Sequence, residues 1–378
     1  MNVYFDNAAS TIVRDEALSA MLRVMQDNYG NPSSVHYMGR RAADELEHAR
    51  KNVADALGAG PDTIYFTSGG TESCNWAVLG AAESLKRKGR HILTSAIEHD
   101  SVLESAKKLK LLGWEVTLLA PDNEGRIPPE SFAAALREDT VLASVMLVNN
   151  ETGVINPINE YSSEIKRRSP GTLLHTDAVQ GFCKIPFKVS TLGADLITVS
   201  AHKIHGPKGV GALYIRPGVK MPPALLGGGH EKGLRSGTEA LQAIAGFGEA
   251  ARLGQLELDE NALSAQKLRE YLIQRLQSEL HEVVIIGSGG SPFLLGMSLP
   301  GHRSEVLMNF LDGEGICVSK SSACKKGARS RVLEAMRLKN EIIDGALRVS
   351  FSRYSTLDEA ECFVQALKRA SETLHKAP

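Results

Sequence analysis

The chain has 378 residues, and its 43 lysines and arginines nearly balance its 44 aspartates and glutamates, which gives a formal net charge of −1. This length can bury a large core and favours two domains, while the charge balance argues against nucleic-acid or membrane-surface binding through bulk charge. No apolar run approaches the roughly 20 residues that cross a bilayer, and the amino terminus lacks the basic start and apolar stretch of a signal peptide.

The five cysteines are also informative about the compartment. Cys74, Cys183, Cys317, Cys324 and Cys362 form no CxxC pair, and any pairing leaves one of them over. Free thiols in a reducing environment are the simplest interpretation, because disulfides persist mainly in oxidising compartments. The sequence therefore predicts a cytoplasmic protein.

Short apolar runs alternate with amphipathic segments over the first 215 residues. Strands are predicted at 63–67, 91–95, 115–119, 141–148, 172–176, 195–200 and 210–215, and helices between them at 71–88 and 100–112. Alternation of this kind is typical of right-handed crossovers in a mainly parallel sheet with helices on both faces. The sequence thus predicts an α/β fold for this part of the chain.

The carboxyl-terminal third has a different pattern. A long helix is predicted over 258–280, because Leu268, Leu272, Leu276 and Leu280 recur on one stripe. Beyond it, apolar runs such as VVIIG and ALRVSFS mix with helical segments. We predict a smaller α+β domain here, which follows the large domain with its mainly parallel sheet.

Ligands of open α/β sheets bind beyond the carboxyl ends of the strands, so the residues that follow each strand are candidates for a site. Gly70 and Thr71 follow the first strand and begin a helix, a pattern typical of a phosphate site but also of an ordinary capped helix. His99 follows the second strand and Asn150 follows the fourth. Taken alone, His99 is more simply explained as a satisfied polar residue and Asn150 as part of a turn.

Two charged residues follow the next strands. Asp177 comes after 172–176, where an acid in an apolar context needs a cationic partner unless it caps a helix. Lys203 comes after 195–200, next to Ser200 and His202. Burial there would lower the pKa of Lys203 and make its amine a nucleophile or base, although a solvated surface lysine fits the same pattern.

Together these features match one chemical requirement. A phosphate cradle, a histidine, and an acid 26 residues before a lysine are what pyridoxal 5'-phosphate needs at one sheet edge. Lys203 would form a Schiff base with the cofactor, and Asp177 would keep the pyridinium nitrogen protonated. The sequence therefore predicts a pyridoxal-phosphate enzyme, with no metal site.

Many ordered motifs carry a family resemblance. They are YFDNAAST, YGNPSSVH, TSGGTESCNWA, EHDSV, VNNETGV, HTDAVQ, SAHKIHGPKGVGALY, GGGHEKGLRSGTE, SSAC and LRVSFS. With these motifs the chain resembles the cysteine desulfurases, fold-type I pyridoxal-phosphate enzymes of the class V aminotransferase superfamily. The resemblance implies an amino-terminal arm (1–15) that packs with the small domain, a large cofactor-binding domain (16–257) and a small domain (258–378) with the catalytic cysteine loop.

The resemblance also implies roles around the cofactor. Lys203 would carry it, Asp177 would pair with the pyridinium nitrogen, Gln180 would hydrogen-bond the phenolic oxygen, and His99 would stack on the ring and assist catalysis. The phosphate would be held by Gly70, Thr71, Ser200 and His202.

Further implied roles concern the substrate and the assembly. Asn150 would lie near the ring and the substrate carboxylate, and Arg348 would clamp that carboxylate with its planar fork. The segment 227–238 would reach the neighbouring subunit, where Thr238 would contact the phosphate. The resemblance thus implies a homodimer with shared sites.

Cys324 stands in a small, cationic segment beside Lys325, Lys326, Arg329 and Arg331. Nearby cations lower the pKa of a thiol, although an incidental surface cysteine is an alternative. The other cysteines are more simply explained by packing. The SSAC motif resembles the family's nucleophile, which implies that Cys324 takes sulfur from L-cysteine as a persulfide, releases alanine, and passes sulfur to an acceptor for iron–sulfur assembly or thiolation.

The chain departs from the family pattern after SSAC, and the sequence leaves alternative functions open. The run after SSAC is basic, has no proline and is shorter than in relatives, which leaves the acceptor and the reach of the loop open. A selenocysteine lyase or another class V aminotransferase-like enzyme is an alternative. A sulfur-relay or iron–sulfur assembly protein that mainly binds partners is another interpretation, and that role can coexist with the enzyme.

Overall fold

The computed structural model describes residues 2–287, 289–320 and 329–376. Cys324, the predicted nucleophile, lies outside these residues, so its predicted role stays a prediction. Within the described ranges, every helix is too short or too polar to cross a bilayer.

Helices and strands follow one another along the described chain. The helices are α1 (Asp15–Gln26), α2 (Tyr37–Leu57), α3 (Gly70–Leu85), α4 (Asp100–Leu111), α5 (Pro129–Ala135), α6 (Ile158–Arg168), α7 (Val189–Leu192), α8 (Leu241–Leu256), α9 (Leu258–Glu279), α10 (Ser304–Gly313), α11 (Arg331–Ala335), α12 (Asn340–Asp344) and α13 (Leu357–Thr373). The strands are β1 (Val3–Tyr4), β2 (Ile64–Thr67), β3 (His91–Ser95), β4 (Glu115–Leu119), β5 (Thr140–Ser144), β6 (Leu173–Asp177), β7 (Leu196–Ser200), β8 (Gly211–Ile215), β9 (Val284–Ile286), β10 (Leu294–Ser298), β11 (Ile316–Cys317), β12 (Ser319–Lys320) and β13 (Ala346–Ser350).

A seven-stranded sheet forms the larger part of the fold, in the order β2-β8-β7-β6-β5-β3-β4. Strands β3 to β7 pair in parallel, and β8 is antiparallel to both of its neighbours, β2 and β7. All the strands except β8 therefore end at the same edge. The predicted mainly parallel sheet is confirmed, and helices cover both of its faces.

One strand is shorter than the sequence predicts. The apolar run 141–148 stays buried throughout, but the assigned strand ends at Ser144. Val145 and Leu147 still donate to the backbone of β6, while the carbonyl of Leu147 accepts from Asn156 across a turn instead of a neighbouring strand. Continuous burial made this turn look like strand, because periodicity cannot separate the two.

The seven-stranded sheet is packed by helices on each face. Helices α1, α2 and α8 pack together on one side, where Phe66 and Phe182 meet Phe247 edge to face. Helices α3 and α4 cover the other side, with Trp76 and Val102 in its buried cluster. The side chains on both faces of the sheet are therefore buried, as expected for a mainly parallel sheet that helices cover on both sides.

The second sheet is antiparallel, in the order β12-β13-β10-β9, and α9, α10 and α13 pack near it. The leucine stripe predicted on α9 is buried in this core. At the amino terminus, β1 pairs in parallel with β11, and Phe5 contacts Phe351 edge to face at 5.3 Å between ring centroids. These contacts bring residues 3–5 against the second core; the predicted domain boundaries stay predictions.

Candidate active site

A cavity of about 370 Å³ lies at the carboxyl edge of the seven-stranded sheet, close to Arg348 of β13. The predicted site residues that line it are Gly70, Thr71, His99, Asn150, Asp177, Gln180, Ser200, His202, Lys203 and Arg348. Thr238 is exposed and is not part of this lining. The strand ends of the seven-stranded sheet thus bring together residues that are up to 133 positions apart, and Arg348 joins them from the second sheet.

The amino end of α3 faces this cavity through Gly70 and Thr71. Gly69, just before the helix, has φ of +151°, and no side chain caps the helix. A Cβ atom on Gly211 of β8 would lie 2.8 Å from the Gly69 backbone, so glycine there permits the close approach of the two segments. The first N–H groups of a helix lack intrahelical partners, and this end can therefore bind an anion.

Asp177 ends β6 and lies wholly within the protein. Its Oδ1 accepts from the N–H of Val179 at 2.9 Å, and its Oδ2 accepts from the thiol of Cys74 at 3.5 Å. Burial raises the pKa of the Asp177 carboxyl, and the nearby His99 and Lys203 oppose that rise. A cationic N–H donor in the cavity would stabilise the ionised carboxylate.

Lys203 lies in a short 3₁₀ turn, Ala201–Lys203, that begins where β7 ends. Its Nζ donates to the backbone carbonyls of Ala8 at 2.6 Å and Ala9 at 2.8 Å. Ser200, the last residue of β7, has a buried hydroxyl without a hydrogen-bond partner among the described residues. An unpartnered buried hydroxyl is unfavourable, and one that lines a cavity indicates a ligand that would pair with it.

The two histidines differ in their surroundings. His99 caps α4, where its Nδ1 accepts from the N–H of Ser101 at 3.1 Å. His202 is half buried, and burial together with Lys203 and Lys208 lowers the pKa of its imidazole to about 4. His202 is therefore neutral near pH 7, and its imidazole offers a hydrogen bond but no charge to the cavity.

Arg348 comes from the middle of β13, in the other sheet. Its guanidinium is buried; Nη1 donates to the carbonyl of Asn150 at 3.0 Å and Nη2 to Oδ1 of Asp6 at 2.9 Å, while Nε has no partner in the described parts of the chain. The same Asp6 oxygen accepts from Ser319 at 2.7 Å. A buried guanidinium with an unpaired N–H can still take a carboxylate ligand.

Some contributors were not predicted. Asp6 accepts a hydrogen bond from Arg348, and the carbonyls of Ala8 and Ala9 accept from Lys203. These residues belong to the YFDNAAST motif, to which the sequence predictions gave no individual roles. Lys184 donates to Oε1 of Gln180 at 3.1 Å and was also missed. The motif itself was a usable signal for the first group.

The segment 227–238 is tied to its own chain. Arg235 donates to the carboxylate of Glu72 on α3, with Nε to Oε1 at 2.8 Å. Glu231 forms a buried ion pair with Arg50 at 2.8 Å and accepts from the N–H of Phe66 on the edge strand β2. Thr238 therefore follows an anchored stretch, and its predicted contact with a partner subunit stays a prediction.

The residues present fit pyridoxal phosphate. The cavity volume lies within the range usual for small-molecule sites. It offers an uncapped helix amino end and the unpartnered Ser200 hydroxyl for a phosphate, a buried carboxyl at Asp177 for a ring N–H, and a primary amine at Lys203. The unpaired Nε of Arg348, which also lines the cavity, suits a substrate carboxylate.

Comparisons with known proteins agree with this geometry. The family model described as aminotransferase class-V matches residues 3–363. The chain is 42% identical to the cysteine desulfurase IscS of Dictyoglomus turgidum, over 98% of this chain and 95% of that protein.

Two solved structures are also similar. A NifS-like protein has a TM-score of 0.94 and 40% identity, with 99% of this chain and 100% of that chain covered. The structure titled SspA in complex with cysteine has a TM-score of 0.82 and 32% identity, with 94% and 100% covered.

Proposed function

The chain belongs to the class V aminotransferase family and is a cysteine desulfurase, and we propose that the cavity beside Lys203 is where it binds pyridoxal 5'-phosphate and L-cysteine. The observation that carries the proposal is that a primary amine, a buried carboxyl and an uncapped helix amino end line one cavity. Each of these groups matches a different part of the cofactor.

The cofactor would be held at its phosphate, ring nitrogen and phenolic oxygen. Phosphate oxygens would accept from the first turn of α3 and from the hydroxyl of Ser200, with His202 as a neutral partner. Asp177 would pair with the ring nitrogen, Gln180 with the phenolic oxygen, and His99 would cover the ring face. Lys203 would carry the cofactor covalently through Nζ.

Bound pyridoxal phosphate supplies an electron sink that stabilises negative charge at the α-carbon of an amino acid. The protein's own groups complete the site. Asn150 and the buried fork of Arg348 would bind the carboxylate of L-cysteine, and Nζ of Lys203 would take the α-proton. Because Arg348 is buried, its charge-assisted contact with the carboxylate would be stronger than one made in water.

Sulfur would leave L-cysteine through Cys324. The thiolate of Cys324 would form an S–S bond with the substrate sulfur while the substrate C–S bond breaks, and the carbon would keep the electron pair. Protonation of that carbon gives alanine, and the enzyme keeps the sulfur as a persulfide. The carbon is reduced because it keeps the electron pair of the C–S bond, and the sulfur is oxidised as the S–S bond forms. The step therefore needs no outside oxidant.

Two further parts of the proposal concern partners. The persulfide sulfur would pass to an acceptor protein, which would be a scaffold for iron–sulfur clusters or a thiolation enzyme. Two copies of the chain would form a homodimer, with Thr238 of one protomer at the phosphate of the other. A cytoplasmic location, predicted from the free cysteines, fits a reducing environment in which a persulfide can be handed on.

Mass spectrometry of Cys324 tests the sulfur step. After incubation with L-cysteine and no acceptor, the peptide that contains Cys324 should carry one added sulfur, and alanine should form in equal amount. The Cys324→Ala variant should bind the cofactor normally but lose sustained alanine release in the presence of acceptor. Release at the wild-type rate would show that another group takes the sulfur. The matched control, Cys362→Ala, lies in α13 and should behave as wild type.

A further inference from the structure

Lys184 is a buried cation with little compensation. It lies in the turn after β6 and is 7% exposed, and its Nζ donates to Oε1 of Gln180 at 3.1 Å. In residues 2–287, 289–320 and 329–376, no carboxylate forms an ion pair with it. Burying an ammonium without an anionic partner is costly, so packing alone would be better served by an apolar side chain of similar volume.

The neighbouring charges make this burial more unfavourable. Lys203 and Arg348 are the charged groups that act most on Lys184, and both are cations. Burial lowers the pKa of the Lys184 ammonium to about 7, and these two neighbours add to that effect. Burial and repulsion both count against an ammonium that serves only to pack at this position.

The contribution follows from hydrogen-bond chemistry at Gln180. An amide side chain has a donor end and an acceptor end of nearly the same shape, whereas an ammonium can only donate. Since Lys184 donates to Oε1, the Nε2 end of Gln180 must turn away from it. That end donates to the carbonyl of Ala8 at 2.9 Å and lies at the cavity.

We propose that Lys184 is a positioning residue that fixes the amide of Gln180 so that Nε2 faces the cavity. This inference rests on the proposed function, in which Nε2 of Gln180 donates to the phenolic oxygen of pyridoxal phosphate. Without a donor at position 184, only the carbonyl of Ala8 would hold Nε2 in place, and rotation of the amide by half a turn would present Oε1, which would repel that oxygen. Lys184 would therefore act on the cofactor only through Gln180.

The test compares Lys184→Met, Lys184→Arg, Gln180→Met and the Lys184→Met/Gln180→Met double variant, all at pH 6.5, where Lys184 is mostly an ammonium. The apparent dissociation constant of pyridoxal phosphate for cofactor-free protein and the visible spectrum of the loaded protein are measured. Lys184→Met should weaken binding by about threefold to tenfold, as expected for one misoriented hydrogen bond, and should shift the spectrum. Lys184→Arg, which can still only donate, should stay within about twofold of wild type.

The double variant separates an effect of Lys184 that acts through Gln180 from a direct effect of Lys184 on the cofactor. In the Gln180→Met background, Lys184→Met should change neither binding nor spectrum further, because the amide that it orients is absent. An equal effect of Lys184→Met in both backgrounds would overturn the inference. So would a Lys184→Met variant that binds the cofactor as tightly as wild type and has the same spectrum.

Thermal melting of the cofactor-free proteins excludes a purely structural role. Lys184→Met should melt at the wild-type temperature or above it, because replacing a poorly paired buried charge by an apolar group is often neutral or stabilising. A lower melting temperature in Lys184→Met, together with cofactor binding lost in proportion, would instead assign Lys184 to the fold. Failure of wild type to bind pyridoxal phosphate would overturn the proposed function itself, which is a distinguishable result.

Discussion

The two sheets contribute to the cavity in different ways. The seven-stranded sheet supplies residues that stand at or just after successive strand ends, among them Asp177 on β6 and Ser200 on β7. The four-stranded sheet supplies Arg348 from the middle of β13, and Arg348 is held by Asp6 and Asn150 from distant parts of the chain. The proposed cofactor side is therefore built by local chain geometry, whereas the proposed substrate side depends on how the two sheets meet.

This difference separates two kinds of variant. Changes at the strand ends should affect cofactor binding, and changes around Arg348 should affect the substrate while the cofactor stays bound. Variants of Arg348 and Ser200 test whether the two sides can be disturbed separately.

The largest effect is expected for Arg348→Lys. Lysine keeps the charge but loses the planar fork and the contacts to Asn150 and Asp6, so kcat/KM for L-cysteine should fall by about 100-fold. Affinity for pyridoxal phosphate, measured on the cofactor-free protein, should change less than about twofold. Arg353→Lys, a change at an ion pair with Glu257, is the control and should keep near wild-type kcat/KM. Cofactor loss in Arg348→Lys would show that the two sides are not separable.

Asp6 should show a smaller effect on the same side. In Asp6→Ala, Arg348 loses the acceptor at 2.9 Å and Ser319 loses its partner, so kcat/KM should fall about tenfold. Asp6→Asn keeps an acceptor oxygen, so its kcat/KM should lie within about threefold of the wild-type value. Steady-state kinetics of the loaded enzymes measures both, and equal losses in the two variants would show that charge, not orientation, is what Asp6 supplies.

Ser200→Ala tests the cofactor side. The hydroxyl has no partner in the described chain, so its removal should leave the stability of the cofactor-free protein unchanged or slightly higher. Affinity for pyridoxal phosphate should weaken about threefold to tenfold, while the KM for L-cysteine should stay at the wild-type value. Equilibrium titration and thermal melting measure the two quantities.

Ser144→Ala is the matched control on β5, which is separated from β7 by β6 in the same sheet. Its hydroxyl bonds to Nδ1 of the buried His175 at 2.8 Å, so its loss should destabilise the cofactor-free protein by about 1–3 kcal/mol. Cofactor affinity should change little. The reverse pattern in the two serine variants would contradict the assignment of Ser200 to the phosphate.

A last prediction concerns stability instead of activity, at the junction of the two sides. Glu151, next to Asn150, accepts a hydrogen bond from Ser330, and burial raises the pKa of its carboxyl to about 7 despite the opposing effects of Ser330 and Arg348. A folded-state pKa above the unfolded value of 4.5 means that the folded state loses stability as pH rises from 4.5 to 7. Glu151→Gln should therefore gain stability relative to wild type over this range, by up to about 3 kcal/mol.

Denaturant unfolding of the cofactor-free proteins at several pH values measures this change. Glu164→Gln is a control of opposite sign, because Arg168 and Arg167 hold the pKa of the Glu164 carboxyl below its usual value. Its stability relative to wild type should fall slightly as pH rises. A stability difference for Glu151→Gln that does not vary with pH would contradict the burial of an ionisable carboxyl at the junction.

The contrast between the two sides also marks what the sequence could predict. Asp177 and Lys203 were found because each follows an apolar strand, and parallel strands end at one edge. Arg348 was assigned only through its family motif, and Asp6 was missed because their contact joins residues 342 positions apart. Lys184 was missed because a turn, not a repeating pattern, directs its side chain toward Gln180.

The most direct test of the account is chemical marking of the cofactor lysine. Wild-type enzyme loaded with pyridoxal phosphate is reduced with borohydride, which locks the cofactor onto the lysine that carries it, and is then digested for mass spectrometry. The account predicts a pyridoxyl group on the peptide that contains Lys203, and none on Lys184 or Lys208. A pyridoxyl group on another lysine, or none at all in enzyme that releases alanine from cysteine, would contradict it.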